Sequence, residues 1–580
     1  MDIIKKLRYV LDKKQKQQVI VLAIMVFIGG IFEMVSLTSL LPVVTIITNP
    51  ESAAENKGYK FVMDLLGVDE VSDLMIPILV ALIVLYIVKN VFLLILAKEK
   101  TKFIAFNRNQ LISRVLREFL NRPYEFYLDA DIPTVFRLTD CDIPNVFNML
   151  TAIISLASDA VLFVLLSAFL LVKDWKLALF VVVVMGCLTI LLLKVLKPKM
   201  NVLGQKNQAI QSRIAKWRIQ AIYGIKDVKV LHREAFFADN YEETGKVGAA
   251  VSRDYSIMNS LPRLLIETIF IVSILSYIIV YIVTGNDVKA LMTTLTAFAL
   301  AAYKLIPSVN RINTYTTEIA YQKPCLDYVY ENLNINALSE KNNPTIQARK
   351  PEQEITLKNE ISLEGIVYAY PNTDKLIFDH AEMKIPYGKS VGIMGASGAG
   401  KSTIVDVLLG LLRVKEGTIT CDGVDVFDNY PKWLAQIGYI PQSIYLVDEP
   451  IRNNIAFGIA EEEIDDERIW QVLEEAQLKE FIKTLPQGLD TTIGDRGVRL
   501  SGGQRQRLGI ARALYHNPEI LVFDEATSAL DNETESAVME AINSFHGKKT
   551  MVIIAHRLHT IEKCDIIYKV DEGKIVETRL

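Results

Sequence analysis

One short stretch of the sequence has the composition of a phosphate-binding loop. GASGAGKS, Gly395 to Ser402, matches the pattern G-x-x-x-x-G-K-[ST], follows an apolar run and precedes a helical pattern. Glycines let successive backbone N–H groups turn inward around an anion, and the N-terminus of the following helix adds its positive dipole end. In this pattern Lys401 reaches the β- and γ-phosphates and the Ser402 hydroxyl ligates Mg²⁺. The predicted nucleotide contacts are Gly395, Ser397, Gly398, Gly400, Lys401, Ser402 and Thr403.

Two carboxylates end a second apolar run, ILVFDE, from Ile520 to Glu525. If this run is a buried strand, Asp524 holds Mg²⁺ through water, and Glu525, one residue further, points elsewhere and polarises the attacking water. The alternative is an acidic strand end without a catalytic role. The phosphate loop in the same region favours the catalytic interpretation.

A second glycine-rich stretch, LSGGQRQR, runs from Leu500 to Arg507. A helix that begins there directs its N-terminus at phosphate. One nucleotide does not need two such cradles from the same surface, but it can use one from each of two subunits that face head to tail. Because the chain carries one copy of each motif, a homodimer is the economical interpretation.

The elements that position these residues divide the chain into three parts. Six apolar runs, each long enough to cross a bilayer, lie in a helical membrane domain over residues 1–335. A polar, proline-bearing linker follows over residues 336–355. Residues 356–580 alternate β-branched runs with helical patterns, which is typical of an α/β domain with a largely parallel sheet. The six runs cover residues 18–47, 73–97, 145–172, 176–197, 262–284 and 288–309.

The distribution of basic residues predicts the orientation in the membrane. Lysines and arginines precede the first run and fill the long segments after the second and fourth runs. The positive-inside rule therefore places both termini and the nucleotide domain in the cytoplasm, in a multi-pass protein of the inner (plasma) membrane. The long segments keep a helical pattern, so the spans are expected to extend beyond the membrane, with turns near 125–135 and 223–230. Within residues 48–70 we predict a short external helix, with a solvated loop as the alternative.

Composition excludes two further classes. The 580 residues are 51% hydrophobic and have a formal net charge of only −4, so no bulk attraction to nucleic acid is expected. The five cysteines include no CxxC motif and their number is odd, which argues against a disulfide framework.

The order of the motifs GASGAGKS, IPQ, LSGGQ, DEATSALD and AHR resembles the nucleotide-binding domain of ABC transporters. With the six preceding runs, the whole chain resembles an ABC exporter half-transporter. The resemblance implies that ATP on the phosphate loop of one copy is capped by the LSGGQ residues of the other. The capping residues are Ser501, Gly502, Gly503 and Gln504.

Other roles are implied by the same resemblance. Tyr370 matches the aromatic residue that stacks on adenine, with Tyr368 as its competitor. Gln442 matches the glutamine that contacts Mg²⁺ and the attacking water. Asp531 matches an aspartate at the dimer seam, and His556 matches the histidine that reads the γ-phosphate. One departure is the loop before LSGGQ, which reads GDRG where these exporters usually have GERG.

Ionisable residues within the apolar runs are the indication of cargo. Lys89, Arg263, Lys304 and Arg311, doubled in a homodimer, would form a basic chamber for an anionic cargo such as a pyrophosphate headgroup. Two alternatives stay open. Arg263 can pair with Glu267 four residues on, and Arg311 can snorkel to the lipid headgroups.

The pieces RLLIETIF and AAYKLIPSVNRI, with the external helix, resemble bacterial lipid-linked oligosaccharide flippases of protein glycosylation pathways. In that family basic residues at matching places engage the pyrophosphate of the lipid-linked sugar. Lys89 and Lys304 stand where arginine is expected, which keeps the charge but loses the bidentate fork. The implied cargo is a lipid-linked oligosaccharide or a related anionic amphiphile, flipped outward. The alternatives are a general lipid, peptide or drug exporter, and an ATP-gated channel or regulator.

Overall fold

A computed structural model describes residues 2–48, 57–67, 70–129, 132–173, 175–284, 288–342, 349–350, 352–371, 373–525, 532–555 and 558–579. The chain forms two compact units. The membrane unit comprises Met1–Leu120 and Asp131–Ala337, and the nucleotide unit comprises Asn121–Ala130 and Leu338–Leu580. The short segment 121–130, between two membrane-unit stretches, thus belongs by its contacts to the nucleotide unit.

The described residues of the membrane unit form six long helices, which we number in chain order. The six are Lys13–Thr38, Met75–Leu120, Ile143–Lys173, Trp175–Tyr223, Glu234–Val283 and Val288–Asn342. Each predicted apolar run lies in one of them, except that the first run continues into a separate helix, Leu41–Thr48. Most of the helices continue well past the apolar run, as predicted. The sixth ends at Asn342, inside the segment predicted as a linker.

Hydropathy supports membrane crossing. Within the described residues, four helical stretches have both the length and the apolar composition of membrane spans: Lys13–Ser36, Met75–Leu120, Pro133–Leu171 and Glu234–Val280. On the second long helix a stripe of residues seven apart, Leu82, Lys89, Leu96 and Phe103, is buried against the protein. Neighbouring Ile83, Ile87 and Leu94 are exposed. An exposed apolar face of this kind is the surface that lipid covers.

Short helices complete the membrane unit. An amphipathic helix, Asp2–Val10, begins the described chain, and a second, Lys57–Leu66, lies in the segment predicted to be external. The turn predicted near 223–230 contains the short helix Ile225–Val230. All five cysteines are free thiols.

The nucleotide unit contains two sheets. The strands are β1 Glu360–Tyr368, β2 Phe378–Pro386, β3 Ser390–Met394, β4 Glu416–Cys421, β5 Val424–Asp425, β6 Ile437–Ile440, β7 Ile520–Asp524, β8 Thr550–Ile554, β9 Ile566–Asp571 and β10 Lys574–Thr578. One sheet is antiparallel with the order β2-β1-β4-β5. The other has the order β10-β9-β3-β8-β7-β6 and is parallel except at β10. The predicted α/β class with a largely parallel sheet is confirmed.

The parallel sheet brings the chemical motifs to one edge. Every residue of β7 and β8 is buried, as expected for parallel strands covered on both faces. In register, Asp524 at the end of β7 pairs with Ile554 at the end of β8, and Ile554 pairs with Ile393 of β3. The carboxyl ends of β3 and β7 therefore place the phosphate loop and the two carboxylates side by side.

Candidate functional site

The phosphate loop connects β3 to the helix Lys401–Leu408. Gly400, immediately before this helix, has φ +104°, and a Cβ there would meet the side chains of Ile377 and Phe378 at 3.0 and 3.1 Å. Glycine is therefore required both for the backbone conformation and for the close packing. Lys401 donates from Nζ to the carbonyl oxygens of Gly395 (3.1 Å) and Ala396 (3.0 Å), so its ammonium lies over the loop.

Asp524 lies next to the serine that was predicted to share a metal with it. The Ser402 hydroxyl donates to Asp524 Oδ1 at 3.3 Å, and the Tyr439 hydroxyl donates to Oδ2 at 3.4 Å. Burial raises the pKa of the Asp524 carboxyl above its ordinary value, and the charge of Glu525 raises it further. A hydroxyl and a carboxylate are hard oxygen ligands of the kind Mg²⁺ prefers, and a divalent cation would offset the cost of ionising this buried acid. The donor set thus fits Mg²⁺.

Glu525 is held by two interactions at the end of β7. Its backbone has φ +49°, a left-handed conformation that costs a residue with a Cβ roughly 1–2 kcal/mol. Its N–H donates to the carbonyl oxygen of Ile554 at 3.2 Å. Gln442 donates from Nε2 to Glu525 Oε2 at 2.7 Å. The structure thus joins the two residues predicted to surround the attacking water.

These groups line one cavity of about 460 Å³. Its lining is Tyr370, Ile377, Ser397, Gly398, Gly400, Lys401, Ser402, Thr403, Gln442 and Glu525. Tyr370 lies on the cavity wall, and its hydroxyl is 2.9 Å from the Thr403 hydroxyl. Tyr368 is only 1% exposed, packs in the core and contacts the Tyr370 ring edge-on at a centroid distance of 5.4 Å. Tyr370 is thus the aromatic side chain available to a ligand.

The LSGGQ stretch begins the helix Gly502–Leu514, which we call the signature helix. Ser501 caps it by accepting from the Gln504 N–H at 3.2 Å, and Gln504 Oε1 accepts from the Ser501 N–H at 2.8 Å. This reciprocal cap fixes the direction of the helix start. Ser501 and Gly502 are exposed, whereas Gly503 is buried. In the part of the chain that the structure describes, none of these residues lines the nucleotide cavity of the same copy.

Two predicted residues, Asp531 and His556, lie outside the described residues. The GDRG loop is described, and within it Arg496 has φ +53°.

Segment 121–130 packs on the nucleotide unit. Its helix, Tyr124–Asp129, presents Glu125, whose Oε1 accepts from the backbone N–H of Arg413 at 2.8 Å. Burial raises the pKa of the Tyr124 phenol, and the charges of Asp406 and Tyr370 raise it further. This short helix therefore lies close to the wall of the nucleotide cavity.

Among the predicted chamber residues whose side chains the structure describes, Lys89 and Arg263 do not line the membrane-unit cavity that Arg311 lines. Arg311 lines a membrane-unit cavity of about 230 Å³ but is bound to Asp159, with Nη2–Oδ1 2.6 Å and Nε–Oδ2 2.8 Å. Lys89 is buried elsewhere, with Nζ 4.4 Å from the centroid of the Tyr86 ring. Arg263 is exposed. The side chain of Lys304 lies outside what the structure describes.

The described residues do not support the two alternatives considered for these cations. Arg311 does not snorkel as a lone cation, because the carboxylate on the third long helix neutralises it. Arg263 and Glu267 form no ion pair, and both side chains belong to the described part of the chain. An ion pair within the protein removes most of the cost of an arginine in apolar surroundings.

Sequence reasoning assigned no site role to four candidates: Lys100, Glu125, Asp159 and Asp406. Asp159 and Lys100 line the membrane-unit cavity with Arg311. Asp406 lies in the helix that follows the phosphate loop, and burial, with help from the Asp524 charge, raises its pKa to about 6. An aspartate in an apolar run was the available signal for Asp159. For Glu125, no local pattern indicated its partner.

Comparison with known proteins agrees with this architecture. The family model described as the ABC transporter transmembrane region matches residues 18–303, and the one described as ABC transporter matches residues 378–528. The chain is 28% identical over 479 residues to the ATP-dependent lipid A-core flippase of Vibrio cholerae, covering 81% of this chain and 79% of that protein. It is 37% identical over 303 residues to the protein of the same name from Haemophilus ducreyi, covering 52% and 50%.

A solved structure, that of a bacterial Atm1-family ABC exporter with ATP bound, matches with a TM-score of 0.76 and 20% sequence identity, covering 97% of this chain and 95% of that one. This likeness shows a common fold. With its transmembrane and ATP-binding regions fused in one polypeptide, the chain belongs to the ABC transporter family and is an ATPase coupled to transport.

Proposed function

We propose that two copies of this chain form an ATP-driven exporter that flips a lipid-linked, pyrophosphate-bearing oligosaccharide from the cytoplasmic to the outer leaflet of a bacterial inner membrane. Both termini and the nucleotide units lie in the cytoplasm. The observation that carries the homodimer is the placement of the signature helix, whose exposed start lies outside the nucleotide cavity of its own copy. A helix N-terminus capped in this way is suited to a phosphate that another copy supplies.

The exposed apolar residues of the membrane unit's cytoplasmic extensions also favour a second copy. Around the short helix Ile225–Val230, four large apolar side chains are 63–70% exposed: Ile222, Tyr223, Val230 and Leu231. An apolar patch away from the bilayer is a surface that a protein partner covers. Assembly of two identical chains supplies that partner without a second gene product.

In the assembled site, each residue has a role that its contacts allow. Tyr370 stacks on adenine, and Lys401 moves from the loop carbonyls to the β- and γ-phosphates. Ser402 and Asp524 would hold Mg²⁺, with Gln442 beside them; the ion, when bound, neutralises phosphate charge. Glu525 accepts a hydrogen bond from the attacking water and orients it. Asp531 and His556 would complete the seam and the γ-phosphate contacts.

Segment 121–130 gives the route by which nucleotide binding reaches the membrane helices. The segment belongs to the nucleotide unit, yet it connects the second long helix to the third within the same chain. The Glu125–Arg413 hydrogen bond joins a charged acceptor to a backbone donor, a type that contributes about 1.5–3 kcal/mol. Movement of the nucleotide unit is therefore transmitted to these two helices.

The cargo class is supported by the relatives and by the membrane cavity. The named relatives are ATP-dependent lipid A-core flippases. The cavity contains Lys100 and Arg311 together with hydroxyl groups and the carboxylate of Glu33. Cationic groups recognise phosphate, and a carboxylate accepts from sugar hydroxyl or amide groups. A headgroup that combines sugar with phosphate matches both the cationic groups and the carboxylate.

Transport into vesicles tests the proposal. The purified protein, reconstituted in liposomes, is assayed for ATP-dependent flipping of an undecaprenyl-pyrophosphate-linked oligosaccharide, with lipid A, a cationic drug and a peptide as parallel substrates. Flipping of the pyrophosphate lipid by the wild-type chain, and its absence with Glu525→Gln, are expected. Flipping of lipid A alone would retain the glycolipid class but refute the pyrophosphate. Transport of the drug or peptide alone, or ion flux that outlasts hydrolysis, would refute the cargo class.

A further inference from the structure

The membrane-unit cavity of about 230 Å³ lies where the first, second, third and sixth long helices meet. Its polar lining, besides Asp159, is Glu33, Lys100, Ser155, Ser158, Arg311 and Tyr315. The remaining lining is apolar. Charged side chains from four helices converge here, although the surroundings are apolar, and such groups usually mark a substrate path or a pair that fixes the structure.

The geometry of Arg311 favours the first of these roles. Asp159 engages one edge of the guanidinium, accepting from Nε at 2.8 and 3.0 Å and from Nη2 at 2.6 Å. The Ser308 hydroxyl donates to Asp159 Oδ1 at 3.0 Å and fixes the carboxylate in turn. Asp159 is buried, with 10% of its side chain exposed, whereas 45% of the Arg311 side chain is exposed.

The second edge of the guanidinium is left available. Arginine has five N–H donors, and the pair with Asp159 uses the Nε donor and one donor of Nη2. Nη1 has no acceptor among the described residues, and Arg311 lines the cavity. The edge formed by Nη1 and Nη2 is therefore free to bind two phosphate oxygens side by side, the geometry that arginine prefers.

We propose that Asp159 is a positioning residue for the cargo headgroup: it holds one edge of Arg311 so that the other edge is presented to a glycosyl phosphate in the cavity. The inference rests on the proposed function and names the site of that function. An arginine with four side-chain torsions loses less freedom on binding when its orientation is already fixed. Lys100, whose Nζ donates to the Ser155 hydroxyl at 2.5 Å, supplies the second cation.

Stimulated ATPase activity in nanodiscs tests the positioning role. The probe is undecaprenyl-pyrophosphate-linked N-acetylhexosamine, with lipid A as a second arm that separates the two sources of sugar phosphate. Asp159→Asn keeps the shape but loses the charge that orients Arg311, so the half-stimulating probe concentration should rise about tenfold. Asp159→Glu should recover part of the loss. Arg311→Lys keeps the charge and an ion pair but has no second edge, and it should show a similar rise.

A matched control removes two other salt bridges from the sixth long helix, which also carries Arg311. Asp327 accepts from Lys6 at 2.8 Å and from Lys323 at 2.7 Å, far along the sixth long helix from the cavity. Asp327→Asn should leave the half-stimulating concentration unchanged. A role in folding alone would lower the thermal unfolding midpoint and the unstimulated rate of Asp159→Asn without a selective change in probe response.

The possible results distinguish the positioning role of Asp159 from the proposed cargo. If the wild-type chain responds to the probe but Asp159→Asn and Arg311→Lys respond at the same concentration, the positioning role is wrong and the proposed cargo stands. If the wild-type chain responds to neither lipid, the cargo and the positioning role both fail. If Asp159→Asn does not fold, an unchanged response in Arg311→Lys is sufficient to refute the role.

Discussion

Glu525→Gln is the substitution that most directly tests the proposed hydrolysis site. The change replaces one carboxylate oxygen by an amide nitrogen and removes a negative charge while keeping the size of the side chain. Gln442 donates to Glu525 Oε2 at 2.7 Å, and the amide oxygen of a glutamine can accept the same hydrogen bond. The wall of the cavity should therefore keep its shape, and what is lost is the ability to take a proton from water.

The magnitude follows from the two carboxylates at the end of β7. A general base contributes about 10²–10⁴-fold to a rate, or roughly 3–5 kcal/mol of the barrier. The charge of Glu525 is one of the causes that raise the pKa of Asp524. Its removal lowers that pKa, so Asp524 is ionised at lower pH and Mg²⁺-ATP binding is maintained. We therefore expect a large loss of turnover without a loss of nucleotide affinity.

The assay compares steady-state ATPase activity and ATP binding of the full chain in nanodiscs. Glu525→Gln should bind ATP with wild-type affinity, hydrolyse it 10²–10⁴-fold more slowly and accumulate as an ATP-bound closed dimer. Glu416→Gln, at an exposed carboxylate on β4, is the matched control and should have wild-type turnover. Turnover of Glu525→Gln within about threefold of the wild type would show that another group activates the water.

Three further changes probe the nucleotide unit. Burial raises the pKa of Asp406 from 3.8 to about 6, so the folded state favours the neutral carboxyl and loses stability as the pH rises from about 4 to 6. At a pH above about 7, Asp406→Asn should therefore stabilise the protein by ~1–2 kcal/mol, a figure reduced for partial exposure, and raise its thermal unfolding midpoint. Below about pH 4 the substitution should change nothing. Tyr370→Ala should raise the Kd of a fluorescent ATP analogue about tenfold, because base stacking contributes ~1–3 kcal/mol, whereas Tyr370→Phe should stay near wild type; equal effects would assign the Thr403 hydrogen bond as the important contact. Glu125→Ala should lower the number of lipids flipped per ATP severalfold at unchanged ATP affinity, and an unchanged ratio would exclude this contact from coupling.

The sequence alone was sufficient to predict features that depend on residues close together in the chain. The phosphate loop, β7 and the start of the signature helix each depend on residues within a few positions of one another, and all were predicted from local patterns. The choice between Tyr368 and Tyr370 shows the limit. The two residues are two positions apart, so strand alternation places them on the same face. Because β1 ends at Tyr368, Tyr370 leaves the strand and reaches the cavity, and only the end of the strand distinguishes the two.

Contacts between distant residues were beyond sequence reasoning. Asp159 and Arg311 are 152 positions apart, and Glu125 and Arg413 are 288 apart. Hydropathy identifies which runs cross the membrane but does not say which helices are neighbours, since each helix has an apolar face that fits several partners. The predicted basic chamber between two copies stays a prediction, but it did not take the pairing of Arg311 into account. It counted the positive charges of the spans and did not assign the negative charge of Asp159 to one of them.

The pair of Asp159 and Arg311 also constrains how the membrane helices move. To separate these charges would leave the buried Asp159 carboxylate without its partner, which is unfavourable in apolar surroundings. A cycle that opens the cavity outward therefore costs less if the third and sixth long helices move as one body and other helix contacts change. A headgroup bound to the free edge of Arg311 does not require the pair to break, so the cargo can remain bound while the helices move. If segment 121–130 moves with the nucleotide unit, as proposed, it would displace the start of the third long helix, and the ion pair would then move the sixth with it.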